Sequence, residues 1–578
     1  MWRYSKNFIS VALMAMMLWA PDSDAYSLND FYGRRLLFSA KGEPLVSVGM
    51  MQKQKEVVVL SEEGLIVEVG EAGPSMTLPA NTELVVRWLG GTAAPVKRML
   101  VVETLSHAER STLDEVKHKW FEKGVSVEFK VIGGVYGVQN THLDNRETLV
   151  LAQGKQWKEK EIEEMGGQPW WYEELSGLPQ MRISISHPNF PAITLNSQKQ
   201  SPVIRIVPLR SAPVLVKKVE HGIGYHFHGF ADRLLRGEVI ILPDRYGTLA
   251  VVNVVPEDIL VAGILPAEMF ASAPMEALKA QAVTARGEVF AKVGKRHLAD
   301  PFLLCSEQHC QVYKGKTAEH PRTNRAAQET KGQLAFLNGR LVDSVYSACC
   351  GGHTEANHEV WDQRPSSATV GRFDGVQMPV GLPGQTTAFH PKGLMAQPIK
   401  PHIHPRRSLP KISERLDLRQ ADHVRTFLEL PKDRTFCGKS SFNQKGDVYR
   451  WRRVFPVEKV NALIKPLKIG QVRDLKVLER GHGGRVKRLQ ITGDQGQKII
   501  RRELPVRRLF SNLRSGLFVL ERERDAEGNI KAFIFQGGGF GHGSGMCQQG
   551  AIGMAEADYG YGAILEHYYN GARVKKVF

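Results

Sequence analysis

Residues 251–291 read VVNVVPEDILVAGILPAEMFASAPMEALKAQAVTARGEVFA, and this stretch decides the fold class. Its first part, continuous with Thr248 to Val255, is a β-branched apolar run of strand length. Pro274 suits a helix's first turn, and Met275, Leu278, Ala282, Ala285, Val289 and Val293 then recur at helical spacing, with Gly294 as a natural stop. Between strand and helix stands Leu265-Pro266-Ala267-Glu268-Met269, which places an acid where the chain turns into the helix. A carboxylate there has an ordinary explanation, since it complements the dipole at a helix N-terminus.

Outward from this centre the chain is rich in strands. Short β-branched stretches (Glu56 to Leu60, Gly64 to Val69, Leu84 to Trp88) alternate with turn residues and predict a small β unit over 26–96. Over 97–160 the pattern changes to a strand at Arg98 to Val102, an amphipathic helix at Ser106 to Lys123, a strand at Val125 to Ile132 and a glycine-punctuated hairpin through Val135 to Val150. This βαββ insertion resembles a SPOR domain, a small module that binds peptidoglycan; a structural insertion of no special role fits the same pattern. A β-rich connecting region follows over 161–236, with strands at Ile204 to Val216, Gly237 to Leu242 and Thr248 to Val255 leading on. Residues 364–410 are rich in Pro, Gly and His without periodicity and read as a surface insertion. The expected class is α+β and multi-domain.

At 578 residues, with 42% apolar and 24% charged residues, the chain has a folded composition and room for three or four domains. Its net charge of +17 implies an anionic partner or a generally basic face. The N-terminus carries Arg3 and Lys6, an apolar run from Phe8 to Ala20, and the small residues Ser23 and Ala25 around Asp24. That is the plan of a signal peptide over 1–25, with an uncleaved anchor as the alternative; the run is short of the roughly 20 residues a spanning helix needs. The reading is export to the periplasm or cell envelope, peripheral to a membrane at most, which sets nucleic acid aside as a partner.

Two groups of residues bear chemistry by type. Cys305, His309 and Cys310, with His297 upstream, offer two thiolates and two imidazoles, a good tetrahedral zinc set. A Cys305–Cys310 disulfide is the rival in an oxidising compartment. The remaining cysteines, Cys349, Cys350, Cys437 and Cys547, allow three full pairings, and a Cys350–Cys437 bond is expected among them. The glycine-rich GGGFGHGSG at 537–545 lacks the lysine of a phosphate loop and the spacing of a dinucleotide fingerprint. Lys279 and Arg286, two turns apart on the long helix, are candidates for pairing with a substrate carboxylate, or for salt bridges to Glu276 or Asp258.

The stretch 251–291 is followed in order by CSEQHCQVYKG (305–315), SVYSACCGGHTEANHEVW (344–361), YRWRRVF (449–455), RVKRLQITGDQG (485–496) and GGGFGHGSGMCQQGAIGMAEADYGYGAILEHYYNGARV (537–574). Together they resemble the SpoIID/LytB family over 237–578, more than half the chain. The resemblance implies a β-rich catalytic domain that cleaves peptidoglycan glycan strands as a lytic transglycosylase, preferring strands stripped of stem peptides. It puts the catalytic acid/base on Glu268 and a structural zinc on His297, Cys305, His309 and Cys310; such an acid needs its pKa raised by an apolar pocket, which the neighbouring Leu265, Pro266, Met269 and Phe270 are expected to supply. It lines the glycan groove with Ser347 and His353 from one loop and His542, Ser544 and Gln548 from the other. The family often has Pro where Phe270 stands, and polar residues where Ala348, Cys349 and Cys350 stand. A non-catalytic, glycan-binding enhancer of a cell-wall amidase is the alternative, and a zinc hydrolase a third reading.

Overall fold

The computed structural model describes residues 26–70, 73–106, 112–138, 141–196, 202–224, 227–361, 365–375, 416–443 and 448–578. The signal peptide read at 1–25 and most of the insertion read at 364–410 lie outside them. Strands outweigh helices, as expected of a β-rich α+β chain.

Two antiparallel sheets make the first body. One runs Leu37–Phe38, Pro44–Gln54, Leu249–Pro256, Glu238–Pro243, Ile204–Pro208, Leu65–Val69 and Ser75–Leu78, with Leu304–Cys305 added in parallel to Pro44–Gln54. The other runs Phe190–Asn196, Gln180–His187, Leu84–Thr92, Glu56–Leu60, Val214–His221 and Gly229–Leu235. Their facing side chains, among them Val48, Val67, Ile206 and Val251 from the first and Val57, Val86, Ile183 and Val216 from the second, share one apolar core. The hairpin Glu238–Pro243/Leu249–Pro256 is buried on both faces, because Ile240, Leu242, Ala250 and Val252 pack behind it against Leu28, Phe31 and Phe302. Hence its unbroken apolar run instead of an alternating one. Its buried polar residue, Asn253, donates to the Arg236 and Glu238 carbonyls at 2.8 and 2.9 Å and accepts from Tyr313 Oη at 2.8 Å, so its side chain carries no unpaired group.

An insertion between Leu84–Thr92 and Gln180–His187 forms a second body. Strands Val96–Ser106, Val127–Ile132, Glu147–Ala152 and Trp170–Leu175, with helices Leu113–Glu122 and Glu159–Glu164, make a βαββαβ unit whose sheet order is fourth, first, third, second. The hairpin Val135–Val138/Thr141–Asp144 projects from it. Trp120, Val102, Val150 and Ile162 fill its own core. Asn145 moors it: the side-chain amide donates to the carbonyls of Phe290 and Val293 at 2.7 and 2.8 Å, answering the open end of the long helix.

The strand Leu249–Pro256 passes straight into a helix, Glu257–Glu268, and the chain turns once before the long helix, Met275–Lys292. Glu257 and Arg286 form a buried ion pair between them. Glu257 Oε1 also accepts from the Gly332 amide at 2.7 Å, and Arg286 donates to the Ala327 and Gln333 carbonyls at 3.2 and 3.3 Å. The helix Pro321–Glu329 is thereby fixed to both. Gly287 lets the Val342–Ser344 segment lie against the long helix, since a Cβ there would meet Ser344 Oγ at 2.4 Å.

The C-terminal part adds two three-stranded sheets, Arg450–Pro456/Ile530–Gly538/Phe518–Arg524 and Val472–Arg480/Val486–Gly493/Gly496–Arg501, sharing a core that includes Phe455, Leu475, Phe518 and Phe535. The glycine-rich turn then returns to the centre. Tyr346–Ser347 pairs in parallel with Met546–Cys547, and single bridges join Cys349 to Phe540 and Glu355 to Ser544. The two loops, distant in sequence, are thus one paired structure.

Candidate active site and metal cluster

Glu268 occupies the last turn of the Glu257–Glu268 helix, not the entrance to the next one. The expected dipole stabilisation is therefore reversed: the C-terminal end of a helix carries partial negative charge, which disfavours a second carboxylate charge. The side chain is partly exposed. Burial, and then the negative charge of Glu288, push its carboxyl up from the ordinary range to about 7, against the opposing influence of Tyr346 and Lys292. At neutral pH a substantial fraction holds a proton.

A chain of polar side chains backs this acid. The Tyr346 hydroxyl reaches the Glu268 carboxyl and donates to Gln311 Oε1 at 3.1 Å. Gln311 Nε2 donates to Glu288 Oε2 at 2.5 Å, and Lys292 Nζ donates to Glu288 Oε1 at 2.6 Å. Lys292 donates further to the Cys310 carbonyl at 2.7 Å. A phenol so placed can donate to Glu268 when it is ionised and accept from it when it is protonated. Loss of solvent raises the pKa of Glu288 against the opposing pull of Lys292 and Gln311, and its engagement by both makes it a tuning group instead of a nucleophile. From the other side, Gln548 Nε2 donates to the Glu268 backbone carbonyl at 2.9 Å and to Gln281 Oε1 at 3.2 Å.

The expected groove residues divide. Gln548 and His542 are partly exposed and close to Tyr346 or Glu268. His542 bonds the Tyr346 backbone and rests beside the Trp361 ring, 4.9 Å between centroids; burial and then Arg485 press its pKa down to about 4, so it is neutral. Arg286, His353, Ser347 and Ser544 are buried and do not face a groove. Arg286 is consumed by Glu257; His353 Nδ1 lies 2.7 Å from the Thr354 carbonyl, and burial presses its pKa down to about 3. Ser347 Oγ has no hydrogen-bond partner and makes no bond to Glu268. Lys279 pairs with Glu276 and Glu329 at 3.1 and 2.8 Å. Leu265 and Met269 point into apolar cores, whereas Phe270 is 69% exposed and stacks on Phe442, so it does not close a pocket over the acid. Tyr346, Gln311 and Glu288 lie within the stretches that carry the resemblance, yet nothing in their spacing marks a role, which is legible only from their contacts.

His297, Cys305, His309 and Cys310 bring one ligand atom each within 4.8 Å of the others. His297 Nε2 lies 3.2 Å from His309 Nδ1, which is 3.9 and 3.6 Å from the Cys305 and Cys310 sulfurs. Tetrahedral bonds of about 2.0–2.3 Å give edges of roughly 3.3–3.8 Å, so this group could hold a metal ion with little movement. The turn that lets neighbours His309 and Cys310 converge closes with the Cys310 amide on the Glu307 carbonyl at 3.0 Å. Asp300 holds His297 Nδ1 at 2.9 Å, leaving Nε2 as the donor atom. All six cysteines are free thiols; Cys350 and Cys437 are neighbours, 3.8 Å between sulfurs, without the expected bond.

Residues 245–336 match the family model for the stage II sporulation protein (SpoIID), and residues 396–545 match a domain of unknown function (DUF8618). The chain is 27% identical to the amidase enhancer of Bacillus subtilis over 322 residues, 54% of this chain and 39% of that one. It is 26% identical to an uncharacterized protein of Brachyspira hyodysenteriae over 339 residues, 58% of this chain and 71% of that one. Over residues 245–336 this chain carries a segment similar to the SpoIID family.

The SpoIID match contains Glu268, Glu288 and the whole metal-ligand set, while Tyr346 and Gln548, which hold Glu268, lie beyond its end. A SpoIID segment in this chain is therefore completed by two strands from elsewhere, Tyr346–Ser347 and Met546–Cys547. Among the described residues no helix is long and apolar enough to cross a membrane.

Proposed function

We propose that this protein is a lytic transglycosylase that cuts the MurNAc–GlcNAc bond of peptidoglycan glycan strands, with Glu268 as its single acid/base. The observation that carries this reading is the Glu268 carboxyl, partly exposed and pushed up to about 7. Hydrolysis of a glycoside ordinarily uses two carboxyl groups, one of them a nucleophile or a base for water. Here the carboxylate acting on Glu268 is half-buried Glu288, already engaged by Lys292 and Gln311. Lytic cleavage needs one group. Protonated Glu268 gives its proton to the glycosidic oxygen as the C1–O bond breaks. The ionised carboxylate then takes the proton of the MurNAc C6 hydroxyl as its oxygen bonds to C1, giving a 1,6-anhydro end without consuming water.

The rest of the molecule supports this assignment. Phe270, exposed on Phe442, offers a flat apolar face beside the acid for a sugar ring. His297, Cys305, His309 and Cys310 would hold a structural zinc: four protein ligands leave no open position for a water, so its contribution is to fix the loop that presents Gln311. Export to the envelope, the +17 charge against an anionic wall, a preference for strands without stem peptides, and a SPOR-like role for the βαββαβ unit belong to the same proposal.

The name of the B. subtilis relative favours a second reading, a glycan-binding protein that assists a cell-wall amidase without cutting strands. The two separate on mass spectrometry of peptide-free glycan strands incubated with the protein. Anhydro-MurNAc ends that disappear with Glu268→Gln support the transglycosylase. Reducing ends indicate hydrolysis, and intact strands that still bind the protein establish the enhancer reading.

A further inference from the structure

Four cysteines outside the first metal set meet in the interior. Cys349 and Cys350 follow the Tyr346–Ser347 strand, Cys437 lies in the short helix Phe436–Lys439, and Cys547 ends the Met546–Cys547 strand. All four are fully buried. The Cys350 and Cys437 sulfurs are 3.8 Å apart, and ligand atoms of Cys350, Asp374, Cys437 and Cys547 all lie within 4.8 Å of one another. The Cys349 thiol sits beside those of Cys437 and Cys547.

Three observations separate this cluster from an ordinary thiol-lined core. First, the spacing is that of a coordination sphere. Zinc–sulfur bonds of about 2.3 Å place tetrahedral sulfurs roughly 3.8 Å apart, whereas a disulfide needs about 2.05 Å. Second, Cys437 and Cys547 each neighbour both Cys349 and Cys350, the mutual arrangement of ligands round one point; two disulfides would use only two of these contacts. Third, the groups are dressed as ligands. Cys547 Sγ accepts the amides of Cys350 and Gly550 at 3.1 and 3.3 Å, as a thiolate does. The wholly buried Asp374 is aimed into the cluster by the Tyr568 hydroxyl at 2.5 Å and the Cys437 amide at 2.9 Å.

We propose that Cys350, Cys437, Cys547 and Asp374 form a second, structural zinc centre, with Cys349 placed to exchange for Asp374. Zinc binding displaces the thiol protons to solvent and involves no redox change, so it needs no oxidant, unlike disulfide formation. The centre ties together the segments that hold Glu268. Cys547 directly precedes Gln548, and Cys349 follows Tyr346 by three residues. It does not depend on the activity proposed above.

The test is elemental analysis and intact-mass measurement of the full chain purified without reductant. Two zinc ions per chain are expected, one remaining in Cys310→Ser and one in Cys437→Ser. In the cobalt-substituted Cys310→Ser protein, the thiolate-to-cobalt charge-transfer band should match three thiolates, rising to four if Cys349 displaces Asp374. A single zinc that Cys310→Ser removes, with the other four cysteines either alkylated freely after unfolding or lighter by two hydrogens per disulfide, overturns the proposal. Wild-type stoichiometry and mass are enough to decide between these outcomes, so the test holds even where a variant fails to fold.

Discussion

Gln548 and Glu268 lie 280 residues apart in the chain, yet the Gln548 amide donates to the Glu268 backbone carbonyl at 2.9 Å. That carbonyl is at the end of a helix with no further turn to supply a partner. In Gln548→Ala the carbonyl loses its side-chain donor, and unfolding free energy in urea is expected to fall by about 1–2 kcal/mol. If Glu268 is the acid, kcat for strand cleavage falls more than KM rises, because the acid is displaced while the groove is kept.

The raised pKa of Glu268 has two signed consequences. Cleavage by the proposed mechanism requires its protonated form, so kcat/KM is expected to decline as pH rises through about 7. Glu288→Gln removes a negative charge and leaves Lys292 uncompensated, which moves the declining limb to lower pH. An unchanged profile in that variant would remove Glu288 from the site.

The same group links pH to stability. Its folded-state pKa of about 7 stands above its ordinary 4.5, so the folded state binds the proton more tightly. The corresponding stability is fully present below about pH 4.5 and is lost as pH rises toward 7. Chemical denaturation across that window should show a shallower decline in Glu268→Gln than in the wild type.

Arg286 is a scaffold residue in this structure. Arg286→Met leaves Glu257 buried with only the Gly332 amide, and a loss of about 3–5 kcal/mol is expected in equilibrium unfolding. Adding Glu257→Gln should restore part of it. A substrate-binding Arg286 would instead show normal stability and a raised KM.

At the first metal set, chelation or His309→Ala is expected to remove one zinc and to lower the melting temperature together with activity. Loss of activity with an unchanged melting temperature would favour a zinc hydrolase. Phe270→Ala, at an exposed position, should change stability by less than about 0.5 kcal/mol and weaken glycan binding in a pull-down.

Much of this is legible from local pattern. The runs at Glu238–Pro243 and Leu249–Pro256 announce strands, the 3.6-residue recurrence announces Met275–Lys292, and the crowding of His297, Cys305, His309 and Cys310 announces a ligand set. The Glu257–Glu268 helix is not legible: Pro256 before it and Pro266 in its last turn imitate loop punctuation, and its nearly all-apolar sequence has no polar face to mark a period. The fourth strand of the βαββαβ unit, Trp170–Leu175, lies past the hairpin where the readable pattern stops.

By itself, the sequence determined most of the strands, the long helix and the likeness to SpoIID, and it singled out Glu268 as the candidate acid, since each of these is written in neighbouring residues or in ordered motifs. Tertiary structure alone decided which side chains surround that acid. Tyr346 and Gln548 come to Glu268 from the paired strands Tyr346–Ser347 and Met546–Cys547 and the helical turn after them, Gln311 and Glu288 meet each other across the fold, and Arg286 and His353 are withdrawn by burial. A pKa depends on solvent exclusion and on charges a few ångströms away, and neither is a property of the chain until it is packed.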